Sequence, residues 1–179
     1  MLETESGQTV AELENAYAAA WSGDGQWLAV GSRGQVLLLS TSDYREETAL
    51  LGGKGPIRSL TFRPGDKMLA GTDGTSILRW STNGQPWPAI HTGGRIGHVC
   101  WTGNGEKLSA TDGEGILRVW DATTLQEDLL AMVLSSREPV LFDGAGQPLS
   151  GDPEALHKNF VYLRQQKPGA IEIVPLDSR

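Results

Sequence analysis

The side chains of this sequence best suited to nucleophilic or metal chemistry are three histidines, His91, His98 and His157, and a single cysteine, Cys100. His98 and Cys100 lie two residues apart, which puts both on one face of a strand, the arrangement a nucleophile and its base or part of a metal site would need. No third ligand or orienting acid lies nearby in sequence, and cysteine in a strand is usually a small buried residue, so the pair reads as structural. The acidic turns Asp24-Gly25, Asp73-Gly74, Asp112-Gly113 and Asp143-Gly144 offer carboxylates of the kind calcium takes. None is followed by the alternating oxygen ligands and bidentate Glu of a helix-loop-helix calcium site, whereas all suit tight turns. Gly52-Gly53-Lys54-Gly55 lacks the Gly-Lys-Ser/Thr spacing of a phosphate cradle and opens a strand rather than a helix. No catalytic residue, metal site or cofactor is expected.

The elements that carry these residues recur. Trp120 is preceded by Trp80 at 40 residues and Trp80 by Leu39 at 41, each closing an apolar run: Val36-Leu37-Leu38-Leu39, Ile77-Leu78-Arg79-Trp80 and Ile116-Leu117-Arg118-Val119-Trp120. Trp21, Phe62 and Trp101 keep nearly the same period, at 41 and 39 residues. After each comes a similar stretch: Trp21 to Ala29, Phe62 to Ala70 and Trp101 to Ser109, in which Gly, Asp, Asn or Pro sits between two runs containing apolar residues. The shared form is strand, tight turn, strand.

On these residues the chain resembles the WD-repeat β-propeller family, whose repeats of about 40 to 45 residues each make a four-stranded blade. The Trp-Asp dipeptide is intact at Trp120-Asp121 and stands as Trp80-Ser81 and Leu39-Ser40 in the other copies, while Gly52-Gly53 and His91-Thr92 replace the family's Gly-His pair. These departures favour apolar packing over a buried His-to-Asp network. A looser resemblance links the tail, through Val140-Leu141-Phe142-Asp143, Gly146, Ser150-Gly151-Asp152 and Phe160-Val161-Tyr162-Leu163, to the segment after the last repeat in bacterial WD-repeat proteins.

Composition agrees with an all-β, turn-dense chain: 179 residues, 23 Gly, six Trp and no long apolar run, enough for one domain with a proper core. Fifteen basic against 22 acidic residues give a net charge of −7, which argues against a surface that tracks nucleic-acid phosphates. The polar, acidic start and the lone cysteine point to the cytoplasm, with neither secretory signal nor membrane span.

The expected organisation is an N-terminal arm at 1–15 with a possible closing strand at Thr9 to Leu13, three WD-type blades at 16–132, and a variant C-terminal segment at 133–179. Strands are expected near 17–21, 27–31, 36–39 and 48–51; 57–62, 68–71, 77–80 and 87–90; and 96–101, 107–110, 116–120 and 128–132. Pro86 and Pro88 cannot donate ladder hydrogen bonds and send the Trp87 strand to an outer edge. The tail should hold a hairpin at 139–150, a short helix from Asp152 to about Asn159, and two strands, 160–164 and 170–174, joined through Lys167-Pro168-Gly169. Three blades and one aberrant segment fall short of most propellers. A small four-bladed ring, a ring completed by a second chain and a fragment of a longer propeller all remain, with completion by other blades favoured.

The resemblance implies a non-enzymatic protein-binding surface on one rim, where Arg33, Lys54, Arg58, Asp73, His91, Arg95 and Asp112 should lie. Trp87, between two prolines, is a separate candidate anchor, with packing on the tail as the equal alternative. The expected role is a scaffold or sensor module of a bacterial multi-protein or multi-domain system, forming an oligomer or a shared ring. The alternative is a C-terminal regulatory domain of a bacterial NTPase, kinase or protease effector.

Overall fold

Period-two apolar patterning and turn residues at regular intervals produce only strands among the residues that the computed structural model describes, which are 13–65, 67–133, 139–151, 161–167 and 170–175. β1 (Ala18–Trp21), β2 (Trp27–Gly31), β3 (Arg33–Ser40) and β4 (Glu46–Pro56) make the first antiparallel sheet. β5 (Ser59–Phe62), β6 (Met68–Thr72), β7 (Ser76–Ser81) and β8 (Pro86–His91) make the second. β9 (His98–Trp101), β10 (Lys107–Thr111), β11 (Leu117–Asp121) and β12 (Glu127–Val133) repeat the pattern a third time. These three units are the expected blades. Gly25 and Gly105 occupy matching turn positions at φ 72° and 71°, a region open to glycine at no steric cost.

The two landmarks that define the repeat do the packing between blades. Trp21 pairs across its hairpin with Leu28, Phe62 with Leu69 and Trp101 with Leu108. Phe62, Leu69, Leu78 and Trp80 of blade two meet Ala29, Val36, Leu38 and Leu50 of blade one. Trp101, Leu108 and Trp120 of blade three meet Met68, Ala70, Ile77 and Ile90 of blade two in the same way. The landmark side chains of blades two and three therefore face the preceding blade. The indoles also reach across for a hydrogen bond: Trp80 Nε1–H donates to Leu51 O at 2.8 Å and Trp101 Nε1–H to Thr61 O at 3.3 Å.

Trp21 breaks the series. Phe62 and Trp101 are 9% and 8% exposed, whereas Trp21 is 53% exposed. It shares the blade-one face of Leu28, Val30 and Leu39, which are buried in a cluster with Leu13 and Leu37. Among the described residues that cluster does not include the indole. Burying a large apolar side chain stabilises by roughly 1.5–3 kcal/mol, and Trp21, half-exposed, gains only part of that.

Polar groups also bind blade to blade. Arg79 is 2% exposed between blades two and three, its Nε and Nη2 donating to Pro88 O at 3.2 and 2.9 Å and its Nη1 to Ala122 O at 3.3 Å. Burial depresses the basicity of this guanidinium, with Arg63 adding like-charge repulsion. Val99 N–H donates to Ser59 Oγ at 3.1 Å, and Arg63 Nε donates to Gly105 O at 2.8 Å with its guanidinium above the Trp101 ring.

The expected tail hairpin forms as β13 (Pro139–Asp143) and β14 (Pro148–Ser150), but it joins sheet three rather than opening a sheet of its own. Met132 pairs with Val140 and Leu130 with Phe142, and these four side chains make a small core. The outer edge of β12 is thereby covered, which removes an unpaired ladder from solvent. β15 (Val161–Lys167) and β16 (Ala170–Pro175) pair with each other, each running past the expected end of its strand. The arm before Leu13, most of the expected closing strand, the helix from Asp152 and the Pro168-Gly169 turn lie outside the described residues.

Candidate functional site

The residues singled out for enzymatic chemistry do not converge. His98 and Cys100 are exposed on one face of β9, and the cysteine sulfur lies 2.9 Å from Ser109 Oγ. His91 ends β8, where its Nδ1 is hydrogen-bonded to Ser76 Oγ at 3.0 Å. His157 lies outside the described residues. Among the described residues no three His, Cys, Asp or Glu side chains gather as a metal site would need.

The turn aspartates are engaged by their own backbone. Asp24 Oδ1 accepts Ser22 Oγ–H and Gln26 N–H at 2.6 and 3.0 Å, and these two bonds lower its pKa. Asp112 Oδ1 accepts from the amides of Glu114 and Ile116, and Asp143 Oδ1 from those of Ala145 and Gln147. Asp121, the acid of the one intact Trp-Asp pair, accepts from the amides of Thr124 and Thr123 and from Lys107 Nζ, which together hold its carboxyl well below the usual range. Gly52-Gly53-Lys54-Gly55 lies in β4, where a Cβ at Gly53 would stand 2.8 Å from Ile57 Cδ1 and 3.2 Å from Gly34 Cα. Close backbone approach accounts for that glycine.

The rim candidates do come together. The β2–β3 and β6–β7 turns, the β4–β5 and β8–β9 connections and the β10–β11 turn all open on the same end of the blades, as the strand registers require. A depression of about 480 Å³ is lined by Lys54, Thr75, His91 and Arg95. A neighbouring one of about 540 Å³ is lined by Arg58, Asp73, Thr75 and Arg95. A crevice of about 30 Å³, little more than one water, holds Arg95 with Asp112 and Arg118. Arg95 is common to all three. Arg33 stands beside this surface, paired with Pro56 at the end of β4.

The candidates differ in what they are free to do. Arg33, Lys54, Arg58, His91 and Arg95 are exposed. Among the described residues the side chains of the four cations make neither an ion pair nor a hydrogen bond. Asp112 is half-buried. Asp73 is 9% exposed, and both carboxylate oxygens serve the fold, one accepting from Lys54 N–H and the other from Thr75 and Ser76. Trp87 stays apart from the rim: it pairs with Arg79 toward the opposite end of β7, is 48% exposed and stacks 5.9 Å from the Arg79 guanidinium. Trp21 was not among the sequence candidates, since its equivalence to two buried landmarks pointed inward.

Residues 89–121 match the family model described as WD domain, G-beta repeat. The match runs from the last strand of blade two through three strands of blade three, so one sequence repeat straddles two blades. Among solved structures, the chain is similar to Kuenenia stuttgartiensis hydrazine synthase, with a TM-score of 0.60 at 10% identity over 83% of this chain and 51% of that one. A chain of the mitotic checkpoint complex gives 0.64 at 15% identity over 83% and 57%. U3-55K gives 0.62 at 17% identity over 96% and 61%. The fold is that of a β-propeller, with one WD repeat at residues 89–121. This propeller chain spans about half to three-fifths of the length of those neighbours. No curated protein matches it in sequence.

Proposed function

We propose that this propeller chain is a non-enzymatic protein-interaction module, a scaffold or sensor of a bacterial multi-protein or multi-domain system in the cytoplasm, working through the rim around Arg95. The observation that carries the reading is the convergence of Lys54, Arg58, His91 and Arg95 on contiguous depressions with Arg33 beside them, the four cations being unpaired among the described residues. Exposed charges without partners stabilise a fold by almost nothing, so their grouping supports a role in recognition. The test is selection of displayed peptides on the immobilised chain and on a Lys54→Glu/Arg58→Glu/Arg95→Glu variant. Peptides enriched on the first and lost on the second are expected; identical enrichment on both would remove the rim from the interface.

A second element concerns ring completion. Exposed Trp21 occupies the position whose equivalents are buried by a preceding blade, and the chain is shorter than the propeller chains it resembles. Both facts support completion by blades from a second copy, another protein or a longer polypeptide. The last form would make the chain a regulatory domain joined to an NTPase, kinase or protease effector. Light scattering after gel filtration tests self-completion: a stable dimer or higher species is expected if a second copy closes the ring, and a monomer with a cooperative melt would exclude it.

A further inference from the structure

We propose that the rim groove of blades one to three takes an extended acidic segment of a partner protein, its Asp and Glu carboxylates reading Lys54, Arg58 and Arg95. This rests on the rim being the interaction surface and names what that surface selects.

Three observations specify the occupant. The first is charge. The chain as a whole carries −7, yet four exposed cations, with no ion pair or side-chain hydrogen bond among the described residues, stand at one end of the blades, three of them lining the two depressions. The nearest acids offset part of this charge without pairing with it: Asp73 accepts four hydrogen bonds from its own turn and the Lys54 amide, Asp112 is half-buried on the blade-three side, and four cations against two carboxylates leave the surface positive.

The second is shape. The Lys54–His91 depression and the Arg58 depression meet along Thr75 and Arg95, so the surface is a trough rather than a single pocket. One small anion would neutralise one end of it. A chain in strand-like conformation places successive same-side residues roughly 6–7 Å apart and can offer carboxylates along the trough. Glycines contribute to the lining of both parts: Gly74, Gly97 and Gly113 in one, Gly93 and Gly94 in the other. A backbone can lie close to them.

The third is charge density. Duplex DNA carries one charge per ~1.7 Å of axis, and a molecule of net −7 repels so dense a polyanion beyond the small basic area. A peptide with an acid at every second residue carries charge far more sparsely and feels the local cations more than the distant field, which salt screens over about 8–10 Å. Guanidinium groups also match carboxylates in a two-pronged geometry, which favours Arg58 and Arg95 as the selective contacts.

The experiment uses the full chain and fluorescence anisotropy with three labelled probes: a peptide of alternating Glu and Ser, the same peptide with Gln for Glu, and oligothymidylate. The Glu peptide should bind, weaken progressively as salt is raised through about 0.1 M, and lose about tenfold or more in affinity on Arg58→Glu or Arg95→Glu. The Gln peptide should bind at least about tenfold more weakly. Equal binding of the Glu and Gln peptides, with both sensitive to the rim substitutions, would overturn the acidic-partner proposal while leaving the rim as an interface. Binding of neither, or binding indifferent to the substitutions, would overturn both. Preference for oligothymidylate would replace a protein partner by nucleic acid. Displacement of the Glu peptide by inorganic phosphate at equal carboxylate concentration would reduce the trough to a small-anion site. Far-ultraviolet circular dichroism of each variant, unchanged, shows that lost binding is not lost folding.

Discussion

Asp73 in the β6–β7 turn accepts the backbone N–H of Lys54, 19 residues earlier in β4, through Oδ2 at 3.0 Å. Its Oδ1 accepts from Thr75 N–H, Thr75 Oγ1–H and Ser76 N–H at 2.9–3.0 Å. One carboxylate thus shapes a turn of blade two and fastens blade one to it, directly beneath the basic rim.

Asp73→Ala leaves four donors without their acceptor, and a cost of about 3 kcal/mol is expected from the usual worth of hydrogen bonds to charged groups, allowing for water reaching the partly open turn. Asp73→Asn keeps the shape and part of the bonding and should cost about half as much. Urea midpoints at neutral pH, compared at constant slope, measure both.

The same carboxylate predicts a pH dependence. Burial by itself would raise its pKa, but the bonds from Lys54, Thr75 and Ser76 outweigh that and leave it below the ordinary 3.8. A group depressed in the folded state contributes fully above the unfolded value and loses its contribution as pH falls through the folded one. Stability should therefore hold from neutral pH down to about 4 and decline below it. Asp73→Asn should flatten part of that decline in acid titrations of the urea midpoint, with Asp121 and Asp24 supplying the remainder.

Arg79 bridges blades two and three through carbonyls rather than a carboxylate. A lysine cannot span Pro88 O and Ala122 O with one ammonium, so Arg79→Lys should cost roughly 2 kcal/mol. Arg79→Met fills most of the volume without burying a charge and should cost no more than the lysine. An Arg79→Met variant clearly less stable than Arg79→Lys in urea would show that the charge, rather than the fork and the volume, matters.

Trp21 and Trp101 are equivalent in sequence and opposite in burial. Trp101→Ala should cost about 3–5 kcal/mol, as for other large-to-small core changes. Trp21→Ala in the isolated chain should cost under about 1 kcal/mol. If further blades complete the ring, Trp21→Ala should weaken that association, read as a shift toward monomer in light scattering or as loss of the partner from the complex.

The rim cations should separate binding from stability. Arg33, Arg58 and Arg95 are exposed and unpaired among the described residues, so reversing any of them should move the urea midpoint by the equivalent of no more than about 0.5 kcal/mol. A large loss would mean that these side chains hold the fold together.

The repeat was legible because its signals are local. Gly25 and Gly105 set turns, alternation set strand faces, and Trp21, Phe62 and Trp101 marked the same place in three hairpins. Those features also put Lys54, Arg58, His91, Arg95 and Asp112 at one end of the blades, since each follows or precedes a strand of known direction. What the sequence could not decide was which of them is free. Asp73 and Asp112 look alike as Asp-Gly turns, yet only Asp73 meets the Lys54 amide of a neighbouring blade. Arg79 sits in a strand like Arg118, but Arg79 is buried on two carbonyls while Arg118 pairs with Glu127. Trp21 reads as a core landmark and is exposed, and the expected hairpin β13–β14 extends sheet three, a pairing the sequence did not specify. The sequence alone determined the strands, their turns and the end of the blades where charge gathers, because these follow from neighbours within a few residues. Only the tertiary structure decided burial, partnership and the open face, because those depend on which blade, some 40 residues away, lies against each side chain.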